Sequence, residues 1–357
     1  MGSADGMEAP VTDSMPSLNL SPPASSAPQF VSSSAGSFAS ESPFALGSVG
    51  GYIDSAIIRS RIRVRYDTMQ RPEFANRAGY LYAPNSAVSD TNLALIGIGG
   101  LSELRELSTY MEMAFNDDFS VFVDVPVRWI YGQDPNLDPS QVSAQGLGDI
   151  RAGARLALWR TDSEWVTAQV RATAPTGDEE RGLGFGGGRS TVEGGALPSN
   201  PSNQSSVEVS ILFQKNWDER FTFFGHISDW QAINGPRVED NQGPPDFLTE
   251  AIGDFWSGNI LTLGGGVGVN LWSMNRGNTQ HSLAFVFEVF LWEVLDGYKG
   301  DEAAAQIIDA TGDTIVNGKY GLRYNGGRYT SYVGWGQNWT SDLWYEDLFR
   351  LEVERRF

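Results

Sequence analysis

The sequence predicts an all-β protein: a single closed antiparallel transmembrane β-barrel of about twelve strands, up-and-down in topology, behind a leader at residues 1–51. Three observations predict it. Apolar residues alternate with polar or charged ones over runs of roughly ten residues, which is a half-exposed strand of membrane-crossing length and not a helix. The connections between these runs alternate between long and short, so long loops collect at one end and tight turns, with both termini, at the other. No run approaches the ~18 consecutive apolar residues of a membrane-spanning helix, so any bilayer is crossed by strands.

The chain has 357 residues, 41 of them glycine, with 12% aromatics, no cysteine and a net charge of -19. That length suits one large barrel as well as two average domains, and residues 52–357 are assigned to the barrel. Without cysteine there is no disulfide and no thiolate metal site. The acidic balance argues against nucleic acid, since a phosphate backbone calls for a surplus of Lys and Arg. Residues 1–51, rich in Ser, Ala, Pro and Gly, read as a disordered leader. They lack the pattern of a secretory signal, so the signal an exported barrel requires is expected to have been removed or to lie upstream.

The first strand is read at 57–67, where Ile58, Ser60, Ile62, Val64 and Tyr66 oppose Arg59, Arg61, Arg63 and Arg65. Four arginines on one face cannot point into lipid or a dry core, because an unpaired buried charge is strongly unfavourable. They need water, carboxylates or both. A short extra strand is read at 79–83. The second full strand, near 103–115, sets Leu107, Thr109, Met111, Met113 and Phe115 against Glu106, Ser108, Tyr110 and Glu112. Asn116, Asp117 and Asp118 turn the chain into the third, where Val121, Val123, Val125, Val127 and Trp129 oppose Ser120, Phe122, Asp124 and Arg128.

Strands four and five form a hairpin over 146–178, closed at 161–164. Ile150, Ala152, Ala154, Leu156 and Leu158, then Val166, Ala168, Val170, Ala172 and Ala174, make its apolar stripe, and Arg151, Arg155 and Arg171 lie on the other face. Strands six, seven and eight are read at 205–215, 220–230 and 259–272. A turn at 273–279 opens strand nine on Leu283, Phe285, Phe287, Val289 and Leu291, and a loop at 295–312 leads to strand ten on Val316, Tyr320 and Leu322. Asn325-Gly326 is a hairpin-turn signal. Strand eleven follows at 328–336, and strand twelve ends the chain at Phe357.

Trp129, Tyr131, Trp165, Trp230, Trp272, Trp292, Trp344 and Tyr345 lie near strand ends, where a barrel carries aromatic girdles. Phe349, Leu351, Val353 and Phe357 alternate with Arg350, Glu352, Glu354 and Arg356, which resembles the C-terminal signal read by the barrel-assembly machinery. Arg355 stands where that pattern has an apolar or aromatic residue, and snorkelling to headgroups would accommodate it.

Gly146-Leu147-Gly148-Asp149 at the head of one strand and Pro175-Thr176-Gly177-Asp178 at the end of the next resemble the family of outer-membrane transporters associated with phenol-degradation (meta-cleavage pathway) operons. The similarity is sharp over 146–178 and one of pattern from Arg59 to Phe357. The resemblance implies residence in the lipid bilayer of the outer membrane and passive uptake of a small-molecule solute, often aromatic or apolar. Pairing the two strands brings Asp149 beside Pro175, Thr176 and Gly177 at the long-loop rim. Gly146, Gly148 and Gly177 are read there as permitting unusual backbone angles, Pro175 as ending the ladder, and Asp149 and Asp178 as accepting backbone N–H groups. Such a rim either fixes the exit of the strands or holds a ligand or Ca2+.

If the first and last strands pair, Arg59, Arg61, Arg63 and Arg65 fall between Glu352 and Glu354 on one side and Glu106 and Glu112 on the other, as an electrostatic seam. Asp124, Arg128, Arg151, Arg155, Arg171, Glu288 and Arg323 point inward by the same parity. These charges read either as a polar filling of a narrow barrel or as a constriction that selects solutes by charge. Phe122, Phe224, Phe290 and Trp292 on that face leave room for an apolar path. A structural or adhesive barrel without transport is one rival, and a barrel hydrolase another. His226 and Ser228 share a face, but such residues stand about 6.5–7 Å apart along a strand, too far for a base and its nucleophile, and no Gly-x-Ser-x-Gly elbow is present. Neither enzyme activity nor a cofactor is expected, and no His/Asp/Glu cluster has metal-ligand spacing.

A soluble carbohydrate-binding sandwich would also explain aromatics and acidic loops, but with shorter strands and polar outer faces. The barrel therefore needs detergent to stay in solution, and its unboiled form migrates differently from the boiled one on a denaturing gel. Detergent-free solubility with a single migration would refute it.

Overall fold

Twelve strands close into a ring in the structure, a computed structural model that describes residues 53–71, 101–132, 143–177, 205–233, 258–277, 279–301, 306–341 and 344–357. The leader read at 1–51, the short strand at 79–83, Asp178 and the long loops within 133–142, 178–204 and 234–257 lie outside the described residues. The strands are β1 (Arg61–Gln70), β2 (Leu101–Ala114), β3 (Phe119–Gly132), β4 (Ser143–Leu147), β5 (Ile150–Arg160), β6 (Glu164–Ala174), β7 (Ser205–Asn216), β8 (Phe221–Ile233), β9 (Asn259–Arg276), β10 (Thr279–Asp296), β11 (Tyr298–Asp301), β12 (Gln306–Asp309), β13 (Thr314–Gly326), β14 (Tyr329–Asn338) and β15 (Asp347–Arg356).

Around the wall the order is β1, β2, β3, β5, β6, β7, β8, β9, β10, β13, β14, β15, and β15 returns to β1 from Arg61↔Arg356 to Gln70↔Asp347. Every neighbouring pair is antiparallel, and closure leaves this ring no open edge. β4 shares a place with β5: β3 pairs with β5 from Phe119 to Asp124 and with β4 from Val127 to Tyr131. Pro126, which has no N–H to give, sits at the change of partner, and its carbonyl accepts the Gly148 N–H at 2.8 Å.

Side-chain oxygens organise three tight turns. Asn116 accepts the N–H groups of Asp118 and Phe119, Thr161 those of Ser163 and Glu164, and Asp218 those of Arg220 and Phe221. At the other two hairpins the ladder runs further than the sequence suggests. β9 and β10 pair down to Arg276↔Thr279, so most of the turn read at 273–279 is strand, with Gly277 at φ 61° beyond it. Asn325-Gly326 is also ladder: Asn325 is bonded to Ser282 and Thr330, and the bend falls on Gly327 and Arg328, with Gly327 at φ 59°. The loop read at 295–312 contains the two-stranded β11–β12 hairpin. At its end, hydrogen bonds from Thr311 hold the Asp309 carboxyl below its usual range.

The wall is apolar outside and charged inside. Ile62, Val64, Met111, Leu156, Val209, Ile227, Leu263, Leu351 and Val353 are exposed, while Arg323, Lys319 and Glu354 are 0% exposed. That inversion of a soluble core matches a surface solvated by hydrocarbon. At the tight-turn end Phe115, Trp159, Trp217, Trp272, Tyr329 and Phe357 form an exposed aromatic group. A bulge between Ala157 and Trp159 turns both Leu158 and Trp159 outward, against strict alternation. Trp292, Trp344 and Tyr345, read as girdle residues, are instead buried. Trp292 is on the inward parity of β10, and Trp344 and Tyr345 pack ring against ring at 5.3 Å ahead of β15. Arg355 does lie on the outer face, with its guanidinium 5.1 Å from the Phe357 ring centroid and 6.0 Å from that of Tyr329.

Large inward rings lie across glycines of the neighbouring strand. A Cβ at Gly266 would stand 2.4 Å from the Phe224 ring and 2.6 Å from the Phe287 carbonyl oxygen, whereas one at Gly265 meets nothing within 4 Å. Gly266→Ala should therefore lower stability by about 1–3 kcal/mol through overpacking, and Gly265→Ala should raise it by about 0.5–1 kcal/mol. Urea unfolding in detergent micelles reads both, and equal midpoints would contradict the packing.

Candidate functional site

The candidate functional surface is the inner face of the wall, and its charges meet as the strand registers dictate. β1 places Arg61 opposite Glu112 of β2, and Glu112 accepts from Arg61 at 2.7 Å, Arg155 at 3.1 Å, Tyr110 at 2.8 Å and Ser120 at 2.7 Å. Arg61 also reaches Glu354 at 3.5 Å, and Arg63 reaches Glu352 at 4.0 Å. Glu352 is shared with Arg323 at 3.5 Å. Nearer the long loops, Glu106 accepts from Arg65 at 3.0 Å and Arg128 at 2.8 Å, while Arg151 sits 2.7 Å from Asp124 and 3.8 Å from Glu106. Glu288 and Lys319 are directly opposed on β10 and β13, both buried. Arg61, Arg65 and Arg128 are thus placed beside a carboxylate of an adjacent strand, while Arg155 and Arg323 reach one two strands away.

Three carboxylates of this network are absent from the residues gathered from the sequence. Asp67 continues the inward row of β1 and takes Arg350 through two bonds of 2.6 and 2.7 Å. Glu208 stands opposite Arg171 across β6 and β7 and pairs with it at 3.1 Å. Both had a signal in parity. The third, Asp54, had none, because it belongs to a segment that is not strand.

The first strand read at 57–67 is corrected here. The ladder begins at Arg61, and residues 53–59 lie inside the wall. Ile57 and Ile58, read as part of the strand, are buried, and so is Arg59. The Asp54 carboxylate bridges Arg63 at 3.4 Å and Arg171. The Ser55 hydroxyl donates to Gln214 at 3.0 Å, Arg155 donates to the Ser55 carbonyl, and Thr167 donates to the Ala56 carbonyl at 2.5 Å. Ile53 is 1% exposed in a cluster with Phe224, Val286 and Tyr332. The segment therefore touches β1, β5, β6, β7, β8, β10 and β14, and it crosses the interior.

The rim motif is a joint between β4 and β6. Asp149 Oδ1 accepts the N–H groups of Thr176 at 3.1 Å and Gly177 at 3.0 Å. The Thr176 hydroxyl donates to the Gly148 carbonyl at 3.0 Å and accepts the Ile150 N–H at 2.9 Å. Pro175 ends β6, one residue past Ala174. None of Gly146, Gly148 and Gly177 takes a positive φ, contrary to the expectation of unusual backbone angles. Gly148 is small for another reason: a Cβ there would press on Pro126 at 3.1 Å and on Arg128 Nε at 3.2 Å.

Ser228 donates to Glu208 at 2.7 Å and shares a further bond with Thr262, and His226 Nε2 lies 3.2 Å from that Thr262 hydroxyl. With the Ser228 proton on Glu208, Thr262 donates to Ser228, and His226 Nε2 is left to donate to Thr262. The serine proton is thus held by a carboxylate, which does not prepare a nucleophile for imidazole. Among the described residues no group of three or more His, Asp or Glu side chains converges as a metal site.

No family model and no curated protein matches the chain. Among solved structures it is similar to an outer-membrane channel from Pseudomonas putida F1, at 11% identity over 84% of this chain and 96% of that one, TM-score 0.45. It is also similar to NanC porin, at 8% identity over 84% and 100%, TM-score 0.41, and to the β domain of the Bordetella autotransporter BrkA, at 8% over 84% and 100%, TM-score 0.47. At such scores the lumen's own chemistry carries the functional reading.

Glu112→Gln leaves the buried Arg61 and Arg155 without their shared charge and should cost about 3–5 kcal/mol. Arg160→Gln, which removes an exposed pair with Asp117, should cost at most about 1 kcal/mol. Urea midpoints in micelles compare the two, and a Glu112 variant as stable as the Arg160 variant would contradict the buried network.

Proposed function

We propose that the protein is an outer-membrane channel for passive uptake of small solutes, apolar or aromatic ones among them, through a charged lumen. One observation carries this reading: the wall is inverted, with apolar side chains outside and paired arginines and carboxylates lining the interior. A lining of fixed opposite charges is the kind of surface that sorts solutes by charge. Phe122, Phe224 and Phe290 on the same face supply apolar contact. The C-terminal strand, with Phe349, Leu351, Val353 and Phe357 turned outward, supports delivery by the barrel-assembly machinery.

The rival reading is a structural or adhesive barrel, and conductance separates the two. The purified protein in planar bilayers should give discrete steps, and the doubly substituted Arg65→Gln/Arg151→Gln protein should shift the reversal potential toward cations. These two arginines keep 16% and 26% of their side chains exposed, so mobile ions feel them. A folded, heat-modifiable barrel without conductance would favour the structural reading, and unchanged selectivity would remove the charged lining from the mechanism.

A further inference from the structure

We propose that the lumen contains a binding site for a small molecule with an apolar body and a carboxylate, and that Ile53 and Asp54 occupy it in this state as a tethered copy of that ligand. The inference rests on the channel reading and narrows its solute class.

The carboxylate half of the site is built by the wall. Arg63 and Arg171 each address a different oxygen of Asp54. Neither guanidinium depends on Asp54 for its position. Arg63 lies 4.5 Å from the Tyr110 ring centroid and Arg171 5.8 Å from that of Phe122, and the two rings stack at 5.4 Å. Glu208 holds Arg171 from the far side at 3.1 Å, and Glu352 faces Arg63 at 4.0 Å. A planar pair of donors fixed in this way is suited to a carboxylate.

The apolar half is adjacent and also belongs to the wall. Phe224, Val286 and Tyr332 enclose Ile53, and Gly264 beneath it lacks a side chain where a Cβ would come within 2.9 Å of Ile53 Cγ1. The two sockets are one residue apart, so together they describe a compact acid with an aromatic or branched apolar group. A solute that displaces this segment meets the same sockets. Wherever the chain's own carboxylate occupies a site, a free ligand's apparent affinity falls by the fraction of time the site is filled.

Benzoate is the probe and benzyl alcohol its neutral counterpart, with binding measured calorimetrically on the full chain in micelles and folding checked by heat-modifiable migration. Asp54→Asn, with Asp54→Ser as a second variant, should bind benzoate about tenfold more tightly than the unsubstituted chain, as release from self-competition requires. Benzyl alcohol, which offers the two arginines no charge, should bind the Asp54→Asn chain at least about tenfold more weakly than benzoate, and adding Arg171→Gln should abolish that preference. Equal benzoate affinity with and without Asp54 makes the segment a fixed strut, and equal affinity of the Asp54→Asn chain for benzoate and benzyl alcohol removes the carboxylate site; either overturns the proposal. Should neither Asp54 variant fold, the unsubstituted chain decides: benzoate must change its conductance where benzyl alcohol does not, and equal responses overturn the site. Conductance in potassium chloride alone is read on the same proteins. A conducting barrel indifferent to benzoate removes the site and leaves the channel, whereas benzoate binding without conductance removes the channel and leaves the site.

Discussion

A guanidinium on the inner face of this wall is tolerated only beside a carboxylate, and that demand sets the register of the strands around it. β1 presents arginine at 61, 63 and 65; β2 answers with Glu112 and Glu106, and β15 with Glu354 and Glu352. A slip of one residue would turn the arginines to hydrocarbon and Ile62 and Val64 to the lumen. The charges thus specify which residues of the first and last strands meet, and that meeting closes the ring. Closure in turn satisfies the backbone groups that a bilayer cannot.

Most of the wall was legible because a strand has a period of two and this wall separates two very different solvents. Wherever the alternation is unbroken, as in β3, β6 and β15, the sequence places the faces correctly. It fails where alternation persists without a ladder or a ladder persists without alternation. Ile58 continues the rhythm of β1, yet the chain there has left the sheet, and Ile57, Ile58 and Arg59 in succession are buried. Periodicity reports two unlike faces and cannot recognise a segment enclosed on both. The bulge beside Trp159 is the opposite case, one extra residue that shifts the phase while pairing continues.

The candidate site divides along the same line. Its strand-borne residues, from Arg61 to Glu354, could be gathered by parity, and Asp67 and Glu208 obey it too. Asp54 could not, since no pattern of spacing links it to Arg171 across the interior. Gly148 was misread for a related reason. Its backbone is ordinary, and what matters there, as at Gly266, is the side chain of another strand lying on top of it. A sequence displays which residues are small but not what leans on them.

The inner segment leaves the wall at Ser60, whose hydroxyl accepts the Ala114 N–H at 3.0 Å and whose carbonyl accepts the Phe357 N–H at 3.2 Å. The joint is therefore made of three pieces of chain, and it lies on the seam where the two ends of the ring were sewn together. Once its bonds to Arg155, Thr167 and Gln214 are released, a pull on the segment is delivered to that stitch. Whatever draws the segment fully aside would then tug on the first and last ribbons of the ring.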